Sequence, residues 1–423
     1  MKITHINLGN SARFGGGTSI ATVRLHNTLK KLGVESEILC AHLDGHVSGA
    51  QGLPTPGWLN KIEVLLKKAT KPIGLNDIHA INSFLLKHAD AIKHTDLIHL
   101  HCIHHGYFNF LSLPSLTAEK PAIYTMHDTW AFTGHCAISY HCDRWKTGCG
   151  KCPSLDLIPA VSRDNTHLEW KLKNWAFQNS DLTIVSPSNW ITKMVKESML
   201  SHFPVYQIPH GIDLEKFQPL DPECCRYTLG IPRNKAVLMF VGSLSKSKGG
   251  DILLAALNGL PDSLKADLVL LIMGEHSVEA SQLPGIDICH VGGLSNDVVK
   301  SIAYSAADLF LFPTRGESFG LVALESIACS TPVVSFKIGG VPDIVRHGVT
   351  GYLAEPESVD DFREGIIQLL EDNNLRIEMG KQGRQIALEE FSIELEAKRY
   401  KAVYENVFDS RKESMASSNY LSV

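Results

Sequence analysis

Short apolar runs alternate with longer stretches of helical spacing over most of the chain. Met1 to Gly9 reads as a first strand and runs into a glycine-rich stretch, after which Ile20, Val23, Leu25, Leu29 and Leu32 mark a helix closed by Gly33. Glu35 to Ala41 follows as a second strand, so the chain opens as a βαβ unit. Further strands are expected at Asp96 to His101, Pro121 to Met126, Asp181 to Ser186, Ala236 to Val241, Leu268 to Met273, Ala307 to Phe312, Pro332 to Phe336 and Gly351 to Ala354. Most carry apolar residues on both faces, the mark of a buried parallel sheet. Helical spacing fills the gaps at residues 167–179, 359–371, 375–390 and 395–407, and the tail from Ser410 is polar and expected to fray.

The pattern breaks between Val205 and Asp213, where Pro209 and Gly211 interrupt it, and a second strand-rich start appears at Ala236. This gives an α/β chain of two domains, residues 1–205 and 206–390, followed by a last helix and tail at 391–423. Residues 42–60 read as a loop. In the segment Trp58 to Lys68, Trp58, Ile62, Leu65 and Leu66 share a helical face, with Lys61, Lys67 and Lys68 elsewhere. A core-facing helix with a basic solvent side is the first reading, and a helix lying on a membrane surface the second.

Composition narrows the class. The 423 residues are 44% hydrophobic and 20% charged, with a formal net charge of -5 and a pI near 6.5, so nucleic acid is not an expected partner. No apolar run is long enough to span a bilayer, and the N-terminus is too short and polar for a signal peptide. A cytoplasmic protein with reduced thiols is expected.

Candidate chemistry concentrates where strands end. After Ala307 to Phe312 the chain reads Pro313-Thr-Arg-Gly-Glu-Ser-Phe-Gly-Leu321 and then turns amphipathic. A strand, a tight loop and a helix start place the amides of Ser318, Phe319, Gly320 and Leu321 where a phosphate is favoured. Glu317 and Glu325 bracket the turn and suit sugar and ribose hydroxyls. Against this stands ordinary helix-start chemistry, with Ser318 as cap. Lys248 lies on a glycine-bounded loop after another strand, placed to neutralise a diphosphate or simply solvated. Gly15 to Gly17 would let backbone approach a pyrophosphate or an acceptor, or form a flexible turn. His127 and Asp128 end the strand Pro121 to Met126, either as working groups or as a strand-capping pair. His99 and His101 share a strand face near His104 and His105, with no carboxylate at ligand spacing to complete a metal site.

Four of the ten cysteines fall within one segment, Cys136, Cys142, Cys149 and Cys152, the last pair as Cys-x-x-Cys inside an insertion at 130–155. A structural zinc on these thiolates is expected, against disulfides or redox use. Such a site has no open position for catalysis.

Glu317-x7-Glu325 with Ser-Phe-Gly-Leu between, Ala306-Ala-Asp308 before it, and Thr331-Pro-Val-Val-Ser335 with Gly339-Gly-Val-Pro-Asp343 after it, resembles the signature of retaining glycosyltransferases of family 4. Asp96-x-Ile-His-x-His101 and His127-Asp128 match further motifs of that family. The resemblance covers nearly the whole chain except the cysteine insertion. It implies the GT-B fold, two Rossmann-like domains facing across a cleft, with the last helix returning to the first domain.

It also implies roles. The donor is a nucleoside diphosphate sugar: Glu325 takes the ribose, Lys248 and the amides from Ser318 to Leu321 the phosphates, and Glu317 the sugar hydroxyls. The loop containing Leu294 lies along the base. His127 contacts the transferred sugar, and Gly16 and Gly17 line the first domain's side. Family members usually carry Arg where this chain has Ser243, so one expected cation is missing. No cofactor is implied for catalysis. The implied acceptor is a saccharide or a lipid-linked saccharide in polysaccharide or glycolipid assembly, at the inner face of a membrane. Competing readings are another GT-B enzyme, such as a nucleotide-sugar epimerase or a phosphorylase, and a catalytically silent binding or scaffold protein, which Ser243 favours.

Overall fold

The computed structural model describes residues 1–274, 278–294 and 296–420, with side chains as far as residue 413. The chain divides into two compact units, Met1–Pro209 together with Glu394–Val423, and His210–Ile393. Among the described residues no helix is long and apolar enough to cross a membrane.

The first unit is built on seven strands: β1 (Lys2–Gly9), β2 (Glu35–His42), β3 (Ala50–Gly52), β4 (Leu97–Leu100), β5 (Ala122–Thr125), β6 (Thr183–Ser186) and β7 (Val205–Gln207). They lie in the order β3-β2-β1-β4-β5-β6-β7, with every pair parallel. Register is set by apolar partners such as Ile3 against Leu97 and Ile6 against Leu100. The second unit has six: β8 (Ala236–Val241), β9 (Leu268–Met273), β10 (Asp287–Gly292), β11 (Leu309–Phe312), β12 (Val333–Phe336) and β13 (Gly351–Ala354). Their order is β10-β9-β8-β11-β12-β13, again all parallel. In each sheet the winding reverses beside the first strand, between β1 and β4 and between β8 and β11. Ligands of open parallel sheets bind at such switch points, outside the C-terminal strand ends.

The apolar runs of the sequence became the central strands, fully buried in β4, β5, β6, β9, β11 and β12. The edge strands β3, β7 and β10 fall where the sequence pattern indicates loop or linker. They are short or half-polar and mostly exposed, so they carry little alternation. Helix α1 (Ala12–Lys31) begins before Ile20 and takes in the glycine run, with a break at Gly16, φ 54 and ψ -138.

Two helices expose apolar residues that their spacing assigns to the interior. In α2 (Gly57–Thr70) Leu59 is the buried residue, while Trp58 is 63% exposed, Ile62 41% and Leu65 68%. The core-facing reading of that stripe is therefore wrong. Glu63 faces inward instead, accepting the Asn82 amide at 2.7 Å. The helix Thr166–Gln178 exposes Leu168 and Trp175, keeps Ala176 and Phe177 buried, and buries Glu169 and Lys173 beside them. Lys173 Nζ donates to the Trp130 and Thr133 carbonyls at 2.9 and 3.1 Å and lies 3.7 Å from the Trp130 ring centroid. Those partners offset the desolvation of the ammonium.

The last helix runs from Ile393 to Tyr420, beyond the point where the tail was expected to fray; residues 421–423 lie outside the described residues. Its Ala397, Tyr400, Val403 and Tyr404 join Ile3, Leu25, Leu29, Leu97, Ile123 and Val185 in one buried cluster of the first unit.

Candidate functional site

In the second unit the loops after β8 and β11 meet at the switch point. Backbone approaches there are too close for side chains. A Cβ on Gly249 would lie 1.8 Å from the Pro313 carbonyl oxygen, and one on Gly250 2.3 Å from that of Leu244. The Arg315 amide donates to the Ser247 carbonyl at 3.1 Å, tying one loop to the other. This contact holds Lys248 Nζ 3.6 Å from Glu317 Oε2, both side chains partly open to solvent. Glu317 is fixed from behind, its carbonyl accepting the Gly340 amide at 2.9 Å, and Gly339, at φ 55, has no room for a Cβ beside that carbonyl.

The helix Leu321–Ala328 starts from Gly320, at φ 107, and no side chain caps it, so Ser318 is not its cap. Among the described residues no protein acceptor takes the amides of Phe319, Gly320 or Leu321. Unclaimed donors at a helix start are the chemistry that binds anionic oxygen. The Phe319 side chain points the other way, buried against His210 and Phe391 with ring centroids 5.2 and 6.1 Å apart, so that residue offers the site only its backbone. Glu325, one turn into the helix, is 4% exposed; Tyr304 Oη donates to its Oε2 at 3.1 Å and Lys300 Nζ lies 3.8 Å from its Oε1. Leu294, just past β10, packs half-buried on the core of this unit; Ser295 beside it lies outside the described residues.

Ser243 heads a chain of hydroxyls, Ser243 to Ser245 to Ser247, each step 3.1 Å. Arg315 is close by but already engaged. Its guanidinium donates to Asp251 at 2.6 and 2.9 Å and to Glu357 at 2.8 and 2.9 Å. The hydrogen bond from Arg315 holds Asp251 below the ordinary carboxylate range. Neither the charge nor the fork of Arg315 is therefore open to replace the cation that Ser243 lacks.

In the first unit His127 follows β5. Its Nε2 shares a 3.0 Å hydrogen bond with His101 Nδ1, and His101 Nε2 shares another of 3.0 Å with His5 Nδ1. Burial lowers His5 to about 3, so it is neutral at pH 7. His5 comes from β1 and sits opposite His99 of β4, a pairing that only the sheet register reveals. His99 is held by Tyr404 Oη at 2.8 Å and Thr125 Oγ1 at 2.7 Å. Asp128 pairs with His104, Oδ2 to Nε2 at 2.7 Å, and accepts the Trp130 amide at 2.9 Å. Burial opposes a charge on His104, but Cys102 and Asp128 outweigh it and hold its pKa well above the usual value. Gly16 and Gly17, in the first turns of α1, are exposed, and nothing lies within 4 Å of a Cβ built on Gly16.

The thiols of Cys136, Cys142, Cys149 and Cys152 are all free. The Gly134 amide donates to Cys149 Sγ at 3.2 Å, and His135 Nε2 lies 3.4 Å from Cys152 Sγ. Among the described residues, the groups of three or more His, Cys, Asp or Glu with ligand atoms all within 4.8 Å of one another are His5, His99 and His101, and Cys102, His104 and His105. The four cysteines do not form such a group.

Comparison with known proteins divides the chain in the same place. Residues 15–216 match the family described as Glycosyltransferase Family 4, and residues 226–386 match Glycosyl transferases group 1. A D-inositol 3-phosphate glycosyltransferase of Corynebacterium jeikeium is 32% identical over 245 residues, 54% of this chain and 58% of the relative. One of the same description from a Mycobacterium is 38% identical over 173 residues, 38% of each chain. The chain thus spans about half the length of the curated relatives it matches. Among solved structures, sucrose-phosphate synthase from Thermosynechococcus elongatus aligns with a TM-score of 0.69 at 20% identity, over 97% of this chain and 100% of that one. The Anabaena protein HepE, solved with UDP and glucose, aligns with a TM-score of 0.66 at 17% identity, over 96% and 99%. At those identities the likeness speaks for the fold, which is GT-B. From residue 15 to residue 386, with only a short joint left out, the chain matches two glycosyltransferase families in succession on that fold.

Proposed function

We propose that this protein moves a sugar from a nucleoside diphosphate sugar to an acceptor hydroxyl with retention of the anomeric configuration. The observation that carries the reading is the β8/β11 switch point, where Lys248, Glu317 and the unclaimed amides from Phe319 to Leu321 stand together. Lys248 and those amides, with Ser318, take the diphosphate, and Glu317 takes hydroxyls of the sugar. Glu325 takes the ribose, and the loop at Leu294 takes the base. As the bond from the anomeric carbon to the phosphate oxygen breaks, the acceptor oxygen bonds to that carbon from the same face. The acceptor proton passes to the departing diphosphate, whose charge Lys248 and the helix dipole stabilise. His127, with Gly16 and Gly17 in the same unit, serves the sugar and acceptor; His101 and His5 orient its ring.

On the acceptor side the reading is polysaccharide or glycolipid assembly, with α2 resting on an anionic lipid surface at the inner face of a membrane. Trp58, Ile62 and Leu65 are exposed on that helix, and Lys61, Lys67 and Lys68 concentrate positive charge in a chain of net charge -5. A structural zinc on Cys136, Cys142, Cys149 and Cys152 remains a proposal that needs the sulfurs closer together than they stand.

Incubation with radiolabelled UDP, GDP and ADP sugars tests the reaction. Release or transfer of the sugar is expected, and Glu317→Ala and Lys248→Ala should each abolish it. Tight donor binding without turnover across varied acceptors favours the silent reading, which draws on Ser243 and the engaged Arg315.

A further inference from the structure

The first unit holds a recess that the reaction above does not use. It encloses about 300 Å3 and is lined by Lys67 and Lys71 at the end of α2, by Asn76 and His79, by His105 after β4, and by Pro159. That volume is at the small end of ligand pockets, enough for a phosphate or diphosphate and part of what bears it. Two ammonium groups and no carboxylate line it.

The wall is polar. His79 is 4% exposed; its Nδ1 is buried without a partner among the described residues, and its ring is held by the Asn76 and Gly106 backbone. His105 has φ 73 and is followed by Gly106 at φ 78, two left-handed residues in a row that present the imidazole to the recess. A Cβ on Gly106 would lie 3.1 Å from His79 Cε1, so glycine there leaves room for the ring. Asn76 Nδ2 donates to the Ala160 carbonyl at 2.9 Å and fixes the far side. Burial lowers the pKa of His79, and burial with the neighbouring His104 lowers that of His105 to about 4. With both pKa values lowered, each imidazole is neutral at pH 7 and offers at most one N–H, so Lys67 and Lys71 are the cationic side chains of the lining. Asp77, beside this wall, is occupied by the Gly106 amide at 2.6 Å, and burial raises its pKa.

We propose that this recess binds the phosphate or diphosphate of the acceptor, so that the sugar is passed to a phosphorylated molecule. His105 adjoins His104, which is paired with Asp128, the residue after His127. The phosphate is thus held one loop away from the histidine assigned to the sugar. Naming the bound molecule an acceptor rests on the transferase reading; the anion site does not. The same chemistry is offered by the head group of a lipid-linked saccharide and by a soluble sugar phosphate.

The test is calorimetric titration of the full chain with pyrophosphate, comparing wild type, the double variant Lys67→Gln/Lys71→Gln, and Lys193→Gln, an exposed lysine elsewhere in the unit. Loss of two charge-assisted contacts should weaken binding by about tenfold or more, while Lys193→Gln matches wild type. The donor cradle is identical in all three, so the difference reads the recess alone. Equal affinity in wild type and double variant, or no binding at millimolar pyrophosphate, overturns the site. Phosphatidylcholine vesicles with and without polyprenyl phosphate, and glucose 1-phosphate in solution, then distinguish the sources; whichever the double variant loses is the ligand class, and loss of neither overturns the proposal. Donor hydrolysis by wild type is scored separately. A protein that binds pyrophosphate through the two lysines yet never consumes a nucleotide sugar keeps the anion site and loses the reaction.

Discussion

Glu169 lies in the interior with Oε2 unpaired, and burial pushes its pKa up to about 8 although Lys173 pulls the other way. A carboxyl whose pKa is raised on folding stabilises the native state fully below its unfolded value, and loses that contribution as pH rises through the folded value. Stability should therefore fall between about pH 4.5 and pH 8 through this residue, by on the order of a few kcal/mol. The pKa of Lys173 is lowered by burial, so its own contribution runs the opposite way, at higher pH. Thermal melts from pH 4.5 to 8 should show the decline in wild type and a flatter profile in Glu169→Gln; parallel profiles would mean the carboxyl is ionised and satisfied in the native state. Nothing in the sequence marks Glu169 or Lys173, because spacing alone assigns charged positions to solvent. The same limit governs the candidate site. Lys248, Glu317 and the amides before Leu321 were legible because glycine-bounded turns after apolar strands leave few arrangements. The engagement of Arg315 by Asp251 and Glu357, and the link from His127 to His5, depend on contacts between distant segments and could not be read along the chain.

At the scale of elements, period gives a helix its stripe but not the side to which the stripe turns. In α2 the apolar stripe faces out, and in Thr166–Gln178 Leu168 and Trp175 do while Ala176 and Phe177 stay buried; in both, polar residues found partners inside: Glu63 the Asn82 amide, Lys173 two carbonyls and an aromatic ring. Strands were legible where both faces are buried and at the edge strand β13, and illegible at the other three edges, where β3, β7 and β10 lack the apolar run. For α2 the outward stripe has a measurable consequence. Flotation with vesicles containing anionic phosphatidylglycerol should carry the protein upward, less so with phosphatidylcholine alone, and the effect should weaken in high salt. Trp58→Ala with Leu65→Ala removes most of the exposed apolar area and should lower the bound fraction about tenfold or more. Concentration-dependent dimerisation abolished by the same pair, with no flotation of wild type, would instead assign the stripe to a second copy of the chain.

For the whole molecule, the two units are unequal in how they are closed. The second is one continuous stretch, His210 to Ile393, whereas the first is completed by the last helix. Tyr400 and Tyr404 are fully buried in the first unit, with Tyr404 Oη on His99 and Tyr400 Oη on Thr125 at 2.9 Å. Leaving that helix out exposes the apolar faces of Ile3, Leu97, Ile123 and Val185 and strips His99 and Thr125 of their buried partners. Burial of several large side chains, each worth roughly 2 kcal/mol, is comparable to the whole stability of a domain. A fragment of residues 1–209 should therefore fail to give a cooperative melt, while residues 210–393 should melt cooperatively alone and bind UDP. Adding the helix as a separate peptide, residues 393–420, should restore cooperativity to the first fragment, with Tyr404→Ala in the peptide blunting the effect. A fragment 1–209 that melts sharply at the temperature of the intact chain would show that the parallel sheet closes its own core, and that the returning helix is a tether rather than a structural layer.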